Sequence, residues 1–464
     1  MNFAKNYTHF FTSGSDCCAP EIRAYLAGLM QAKRGAKNME RMEEHVPDFA
    51  YQNVHNAIAH APWDHRALMN EVAAQADGLL GGGPRVRAIL DDSGWRKKGS
   101  SSVGVARQYL GSAGKVDNGQ VAVCTSLASG QQSTLIDIRL YLPEVWCGDA
   151  LRCEKAHIPA AERHFRSKSQ LALESIRHQR ERGIRFDVVS MDSGYGSDAG
   201  LLHALDADGE TFVAEVHRDA HIWTQAPWPH QHSKRQGKAL KHPVASQPSE
   251  RVDGWSRAQS DTAWQRLKVR GSDRGWVEVS YLAERIWVMA GAEAKPWWLL
   301  AWEDPDEKSN DGRSGNGPRR HYALSNAAAD SDPRLLIKDA LGRNMVERNF
   351  RDAKSEVGMA YYQTRGWNAW QHHMALVMLA MFFLLQEKMH SPAVATAEGE
   401  VTITSGDITF ILERLLPQRG QGSPQVREVR AMLESRIKKR ERDQVQRRRK
   451  TRADRPPLWP DEEI

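Results

Sequence analysis

The chain has 464 residues, of which 41% are hydrophobic and 26% charged, so it is too long for one ordinary domain and unlike a disordered or membrane protein. Its net charge of +6 comes mostly from one end, because Arg436–Ile464 holds 11 Lys or Arg against 6 Asp or Glu. Basicity is therefore a property of the tail, and the overall charge says little about nucleic-acid binding by the rest of the chain.

The N-terminal sequence and the cysteines point to the cytoplasm. The five cysteines show no CxxC or His-Cys spacing of the zinc type, so we expect reduced thiols. The first residues lack the features of a signal peptide. The longest apolar stretch, Met374–Leu385, is shorter than the roughly 18 to 20 residues that span a bilayer. A buried helix explains it better than a membrane segment.

Residues 1–84 are predicted to form a helical N-terminal DNA-binding domain. Apolar residues recur at helical spacing from Ile22 to Leu29, and again between Val54 and Leu68, as on the buried face of a helix. The run Gly81–Pro84 breaks this pattern, because glycine and proline interrupt regular structure. We therefore place a domain boundary there.

Residues 85–220 are predicted to be the first part of an α/β catalytic domain. A short strand, Val86–Leu90, leads to Asp92, and two further strands follow. A helix over 161–182 comes next, then a strand that ends at Asp192, a short helix and another strand. This order resembles the ribonuclease H-like fold, which has carboxylates on its first strand and at the end of its fourth.

The rest of the chain changes character twice. Residues 221–334 carry nine of the fifteen tryptophans amid strand-like segments, which predicts a β-rich insertion domain. Helical pattern resumes over 335–390, the predicted second part of the catalytic domain. Residues 391–464 are predicted to be a helical region with a basic tail. Arg436–Arg455 shows no apolar stripe, so we expect it to be disordered or loosely helical.

Two aspartates that end apolar strands are candidates for metal chemistry. Phosphodiester hydrolysis by two metal ions needs converging carboxylates, because Mg²⁺ prefers oxygen ligands. A rigid strand end would fix the side chains of Asp92 and Asp192. Aspartates at such places are more often turn formers or helix caps, so neither residue alone indicates a catalytic site.

One acid in a predicted helix is surrounded by cations. If the helix is continuous, residues at positions i, i+4, i+7, i+8 and i+11 lie on one face. This face then carries the acid and three cations. A solvated face with ion pairs one turn apart is the plain alternative. The functional interpretation gives the acid to a metal ion and the cations to DNA phosphates. The residues on this face are Arg343, Glu347, Phe350, Arg351 and Lys354.

This segment resembles the insertion-sequence transposases of the insertion sequence 4 superfamily, most of all the insertion sequence 701 family. Their signature around the third acid is Tyr, two residues, Arg, three residues, Glu, six residues, Lys. Arg343, Glu347 and Lys354 fit that spacing. Ala340 stands at the tyrosine position, a departure that concerns how the phosphate at the cleaved bond is held.

Other blocks also resemble this family. The block that begins at Asp91 is similar to its first-acid region, and the sequence around Asp192 is similar to its second. The resemblance runs from about Glu40 to Leu385. It implies a DDE transposase with a ribonuclease H-like core that is interrupted by the β-rich insertion.

The resemblance also implies an activity, cofactors and partners. Such an enzyme cuts DNA at the ends of an insertion sequence and transfers the freed strand into target DNA, with two Mg²⁺ or Mn²⁺ ions per active site. Its partners would be terminal inverted repeats and target DNA, bound by a homodimer. No nucleotide cofactor is expected, because the glycine-rich runs lack a phosphate-binding-loop signature. The alternatives are a non-transposing nuclease of the same fold and a domesticated DNA-binding regulator.

The resemblance assigns roles to individual residues. Asp92, Asp192 and Glu347 would be the catalytic residues and metal ligands. Asp92 precedes a small hydroxyl residue, Ser93, as the family's first acid does. Asp91 is the alternate, because strand alternation lets only one of the two neighbours face the site. The DNA-binding candidates are Arg343, Arg351, Lys354 and Trp298.

Overall fold

A computed structural model gives the fold. It describes residues 2–13, 16–32, 35–230, 244–245, 247–272, 275–290, 293–308, 318–391, 394–396, 399–401, 403–419 and 426–454. The chain divides into two compact units, Met1–Ser190 with Arg343–Val429 and Met191–Gly342 with Arg430–Ile464. Helices and strands are mixed throughout, so the predicted α/β class is confirmed.

The first unit begins with helices. Helix α5 starts at Asp64, whose carboxylate accepts hydrogen bonds from the backbone N–H groups of Arg66 and Ala67, a typical N-cap. It ends at Leu80, directly before the glycine run that predicted a break. The elements are α1 (Asn2–Lys5), β1 (Thr12–Ser13), β2 (Asp16–Cys17), α2 (Ala19–Gln31), α3 (Met39–His45), α4 (Tyr51–Ala59) and α5 (His65–Leu80).

A sheet follows, with β7, β3 and β5 as neighbours in that order and both β4 and β6 paired to β5. The strand predicted as Val86–Leu90 continues to Arg96, because its pairing with β5 runs through to Gly119. Asp91 and Asp92 therefore lie within β3 and not at its end. The elements are β3 (Val86–Arg96), β4 (Ala106–Leu110), β5 (Lys115–Ser129), β6 (Gln132–Leu140), α6 (Glu144–Cys147), α7 (Ala150–Lys155), α8 (Lys168–Glu181) and β7 (Val188–Met191).

The second unit contains an antiparallel sheet of five strands in the order β8, β16, β15, β14, β13. Trp297, Trp298 and Trp302 lie on β15 and are buried. The elements are α9 (Ser193–Gly196), α10 (Ala199–Ala207), β8 (Phe212–Val216), β9 (His221–Ile222), β10 (Pro229–His230), β11 (Val244–Ala245), β12 (Glu250–Arg251), α11 (Val252–Ala258), β13 (Gln265–Ser272), β14 (Gly275–Ala290), β15 (Glu293–Lys308), β16 (Pro318–Ser325) and α12 (Pro333–Gly342).

The chain then returns to the first unit. Helix α14 is long and apolar enough to cross a membrane by composition alone, yet 89% of its most apolar window is buried inside the protein. It packs on α4, α5 and β6, as a core helix does. The elements are α13 (Met345–Ser355), α14 (Trp367–His390), β17 (Val394–Thr396), β18 (Gly399–Val401), α15 (Ser405–Leu415) and α16 (Val426–Asp454).

Most of the segment predicted to be disordered or loosely helical, Arg436–Arg455, belongs to helix α16. Arg455 lies outside the described residues. Val429 and Ile437 are buried on this helix, whereas Lys438, Lys439 and Arg442 are exposed. The tail therefore presents most of its described cations to solvent.

A buried ion cluster joins three elements of the first unit. The Asp137 carboxylate on β6 accepts hydrogen bonds from Arg66 at 2.7 Å, from Arg139 at 2.8 Å and from the Ser175 hydroxyl at 2.9 Å. Burial alone would raise the pKa of Asp137, but the guanidinium groups of Arg139 and Arg66 hold it well below its usual value. This carboxylate connects α5 and α8 to the sheet.

Asp137→Asn should destabilise the first unit by about 3 kcal/mol at neutral pH, because it leaves buried guanidinium groups without their counter-charge. The folded pKa lies below the unfolded value of about 3.9, so this stabilisation is present above that pH and is lost as the pH falls below it. Urea unfolding at several pH values measures both effects. Glu44→Gln, which opens the exposed pair with Arg41, is the control. Equal losses in the two variants would contradict the prediction.

Candidate active site

Asp91 and Asp92 on strand β3 lie on opposite faces of the sheet, because side chains alternate along a strand. Leu90 pairs with Thr125, whose hydroxyl lies 2.6 Å from that of Ser175 on α8. Asp92 shares this face, two residues further along. Asp91 therefore faces the other way.

Asp92 is held by a lysine at the start of α8. The Lys168 ammonium donates to Asp92 Oδ2 at 2.7 Å, and both side chains are partly exposed, 32% for Lys168 and 27% for Asp92. Ser167 and Gln170 form a capping box that fixes the first turn of this helix. The sequence analysis did not identify Lys168, because its partner is 76 residues away and no local spacing signals the contact.

Asp91 lies on the side of the third acid. Arg343 Nη1 is 3.7 Å from Asp91 Oδ2, and its Nη2 is 3.9 Å from Glu347 Oε1. The guanidinium is 14% exposed, whereas the Glu347 side chain is 65% exposed. One cation therefore bridges two carboxylates that come from β3 and α13.

The predicted single helix around Glu347 is in fact two helices. Helix α12 ends at Gly342, and α13 begins at Met345, so Arg343 lies in the turn between them and not on the helical face predicted for it. The turn lets the Arg343 side chain reach β3. Ala340, at the tyrosine position of the signature, is buried on α12.

The other two cations of this segment differ in position. Lys354 turns inward and donates to the Gly94 carbonyl oxygen at 3.1 Å, and burial lowers the pKa of its ammonium. Arg351 is exposed. In the described conformation, only Arg351 of this pair presents its side chain openly to a ligand in solvent.

Asp192 belongs to the second unit and caps α9. Its Oδ1 accepts hydrogen bonds from the N–H groups of Gly194 at 3.0 Å and Tyr195 at 3.2 Å. Gly196 is needed nearby, because a Cβ there would lie 1.9 Å from the Glu215 carbonyl oxygen. Capping is the ordinary role of such an aspartate, and it uses one of the two carboxylate oxygens.

Trp298 has a core position in the second unit. It is 8% exposed, and its indole N–H donates to the Ala328 carbonyl oxygen at 3.0 Å. Strand β15, which carries Trp298, pairs with β14 on one side and with β16 on the other. For Trp298 to stack on a DNA base, its ring would first have to leave this packing.

The acidic donors suit a hard divalent cation in chemistry, since carboxylate oxygens are the ligands that Mg²⁺ and Mn²⁺ prefer. Within the part of the chain that the structure describes, no three or more His, Cys, Asp or Glu side chains are already grouped to hold a metal ion. Arg343 instead supplies positive charge to Asp91 and Glu347. A metal ion at these acids would have to replace it.

Comparisons with known proteins identify the family of the chain. A family described as DDE superfamily endonuclease matches residues 17–275. The chain is 29% identical over 176 residues to a probable transposase for insertion sequence element IS701 from Microchaete diplosiphon. That match covers 37% of this chain and 42% of the relative, so it spans less than half of either protein. Because the family match extends over more than half of its length, the chain belongs to the DDE superfamily of endonucleases.

Proposed function

We propose that the protein is a transposase that cuts DNA at the ends of an insertion sequence and joins the freed 3′ end to target DNA. The observation that carries the proposal is the bridge from Asp91 on β3 through Arg343 to Glu347 on α13, in a chain of the DDE endonuclease family. The similarity to a probable insertion-sequence transposase supports the same activity.

The proposed catalytic acids are Asp192, Glu347 and one member of the Asp91–Asp92 pair. Asp92 was the first choice from sequence, but the contacts favour Asp91, which shares Arg343 with Glu347. Asp192 follows β7, whose residues in the first unit neighbour β3. The short chain distance between Ser190 and Asp192 supports its inclusion, because two residues span at most about 7 Å.

The strength of the existing ion pairs also favours Asp91. The contacts from Arg343 to Asp91 and Glu347 are 3.7 and 3.9 Å long, which is longer than a hydrogen bond. Lys168 instead holds Asp92 by a charge-assisted hydrogen bond of 2.7 Å. A cation entering the site would therefore gain Asp91 and Glu347 more readily than Asp92.

The protein's own groups would prepare the reaction as follows. Bound divalent ions, two Mg²⁺ or Mn²⁺ in the proposal, would activate water and stabilise the leaving 3′ oxygen. Asp91, Asp192 and Glu347 would supply the oxygen ligands. Arg343, once released from the acids, would bind a phosphate beside the cleaved bond, and Arg351 would hold the DNA backbone further along.

The partners follow from the same proposal. They are double-stranded DNA at terminal inverted repeats, target DNA and a second copy of the chain in the DNA complex. The reaction needs no nucleotide cofactor, and the protein would act in the cytoplasm, where bacterial DNA lies. Lys354 and Trp298, also DNA-binding candidates, would have to leave their present contacts with Gly94 and Ala328.

Asp91→Asn, Asp192→Asn and Glu347→Gln should each abolish cleavage of DNA that carries the element's own ends, because two-metal chemistry fails when a ligand is lost. Asp92→Asn should lower the rate by less than about 10-fold, because Asp92 pairs with Lys168 on the face of the sheet opposite to Asp91. Single-turnover cleavage in Mg²⁺, with a strand-transfer readout, measures both. EDTA should stop all activity.

The outcomes separate the hypotheses. Cleavage at the wild-type rate by Glu347→Gln would end the proposal. Loss of activity in Asp92→Asn with retention in Asp91→Asn would return the first-acid role to Asp92. Cleavage without strand transfer would identify a non-transposing nuclease.

Arg343→Ala should weaken DNA binding only when a divalent cation has bound Asp91 and Glu347 in place of Arg343. In Ca²⁺, which supports binding but little chemistry, the salt dependence of binding should fall by about one phosphate contact relative to wild type. In EDTA the variant should bind as wild type does. Arg351→Ala is the matched control and should lose about one contact under both conditions. An equal loss for Arg343→Ala in both conditions would contradict the exchange of Arg343 for metal.

Replacing Lys438, Lys439 and Arg442 with Gln should lower nonspecific DNA affinity at low salt and keep α16 helical, because glutamine is a good helix former. Filter binding to random-sequence duplex across a salt series measures the loss, with a slope reduced by up to about three contacts. Cleavage on a pre-assembled end complex should stay unchanged. Unaltered binding at every salt concentration would show that the tail serves only solubility.

A further inference from the structure

An exposed phenylalanine lies in the segment between α7 and α8. Phe165 is 43% exposed, and its ring meets the ring of Tyr141 edge-on, with centroids 6.3 Å apart. Tyr141 directly follows β6, and its backbone N–H donates to the Val121 carbonyl oxygen on β5. One aromatic ring is thus fixed to the sheet and supports a second that faces solvent.

Lys168 connects these rings to β3. Its ammonium lies 5.8 Å from the centroid of the Tyr141 ring and 2.7 Å from Asp92 Oδ2. Phe165, Tyr141 and Lys168 therefore form one continuous surface, called here the aromatic shelf. It combines an open aromatic ring with a partly exposed cation on the face of β3 that carries Asp92, opposite to the face that carries Asp91.

The segment that presents Phe165 is held firmly. Arg166 forms ion pairs with Glu162 and with Glu174, the latter at 3.1 Å. Arg163 donates from Nε to the Ile158 carbonyl oxygen at 2.8 Å. These contacts keep the backbone on both sides of Phe165 in place, so its ring is exposed in an ordered segment. A fixed ring loses little conformational entropy when it binds a flat ligand.

We propose that the aromatic shelf binds DNA through an unpaired base, which stacks on Phe165, while Lys168 contacts a phosphate of the same strand. The proposal rests on the proposed function, because that function supplies DNA as the ligand. Stacking accepts any base but needs an open π-face, so the ligand is a strand with unpaired nucleotides and not an intact duplex. The Lys168 ammonium has three N–H donors, so it can keep its bond to Asp92 and donate to a phosphate as well.

A protein partner would favour other side chains. Val145 on α6 and Leu151 on α7 are 62% and 78% exposed, so they offer more open apolar surface than Phe165. Both side chains are aliphatic, so neither offers the flat π-face on which a base could stack. An aromatic ring beside an ammonium suits a nucleotide, which has both a base and a phosphate.

Binding of labelled DNA to the full-length protein in Ca²⁺ tests the proposal without cleavage and without knowledge of the element's ends. The probes are a blunt duplex and the same duplex with a three-nucleotide unpaired tail that contains 2-aminopurine. Phe165→Ala should weaken binding of the tailed probe about 10-fold, within the range found for loss of one stacked base, and relieve the quenching of the 2-aminopurine. Binding of the blunt duplex should change by less than about twofold.

Matched variants make the result specific. Phe165→Trp should retain both tail preference and quenching, because it keeps the aromatic face. Lys168→Gln should weaken both probes and lower the salt dependence by about one contact. Leu151→Ala, the exposed apolar control, should behave as wild type, and thermal unfolding checks that each variant is folded.

Wild-type binding of the tailed probe by folded Phe165→Ala would overturn the proposal. Weaker self-association of Phe165→Ala and Leu151→Ala together, with DNA binding unchanged, would show that the segment is a protein interface instead. Neither outcome depends on cleavage, so failure of the aromatic shelf is distinguishable from failure of the transposase proposal.

Discussion

The alternation of side chains along β3 is the constraint on which the candidate site depends. Asp91 pairs with Cys124 and Asp92 with Val123 on β5, so the two carboxylates, although adjacent in sequence, serve opposite faces of one sheet. One face brings Asp91 to Arg343, and the other brings Asp92 to Lys168. A shift of one residue in this register would exchange the two partners. The long antiparallel pairing with β5 prevents that shift.

Each acid on β3 is paired with a different cation, Asp91 with Arg343 and Asp92 with Lys168. The two pairs differ in the distance between the charged groups. Carboxylates brought close together repel, and a nearby positive charge offsets this repulsion before any metal ion binds. The contacts of Arg343 with Asp91 and Glu347 are 3.7 and 3.9 Å long, and Glu347 is exposed, which would suit the proposed exchange of Arg343 for a metal ion. The pair of Asp92 with Lys168 is short, which suits a fixed support. These contacts therefore support different proposed roles for the two neighbours.

The sequence predicted the α/β class, the helical start, the strands around the acids and the buried helix α14, because each depends on local periodicity. It did not resolve which aspartate faces the Glu347 helix. Side-chain alternation places adjacent residues on opposite faces of a sheet, but it does not show which residue lies on which face. The turn at Arg343 also escaped prediction, because helical spacing continues unbroken through it. Lys168 was missed for a third reason, as its contact joins residues far apart in the chain. The division into five domains stays a prediction.

The proposals give the protein two kinds of DNA contact, one through the cations of α16 and one through the ring of Phe165. The cations of α16 act through screened charge, which reaches about 10 Å at 0.1 M salt and does not distinguish one strand from another. Stacking on Phe165 acts only at contact and needs an unpaired base, so it depends little on salt. The first can gather DNA from a distance, whereas the second responds only when the duplex has opened. Raising the salt should therefore weaken capture by α16 before it weakens recognition of an opened end.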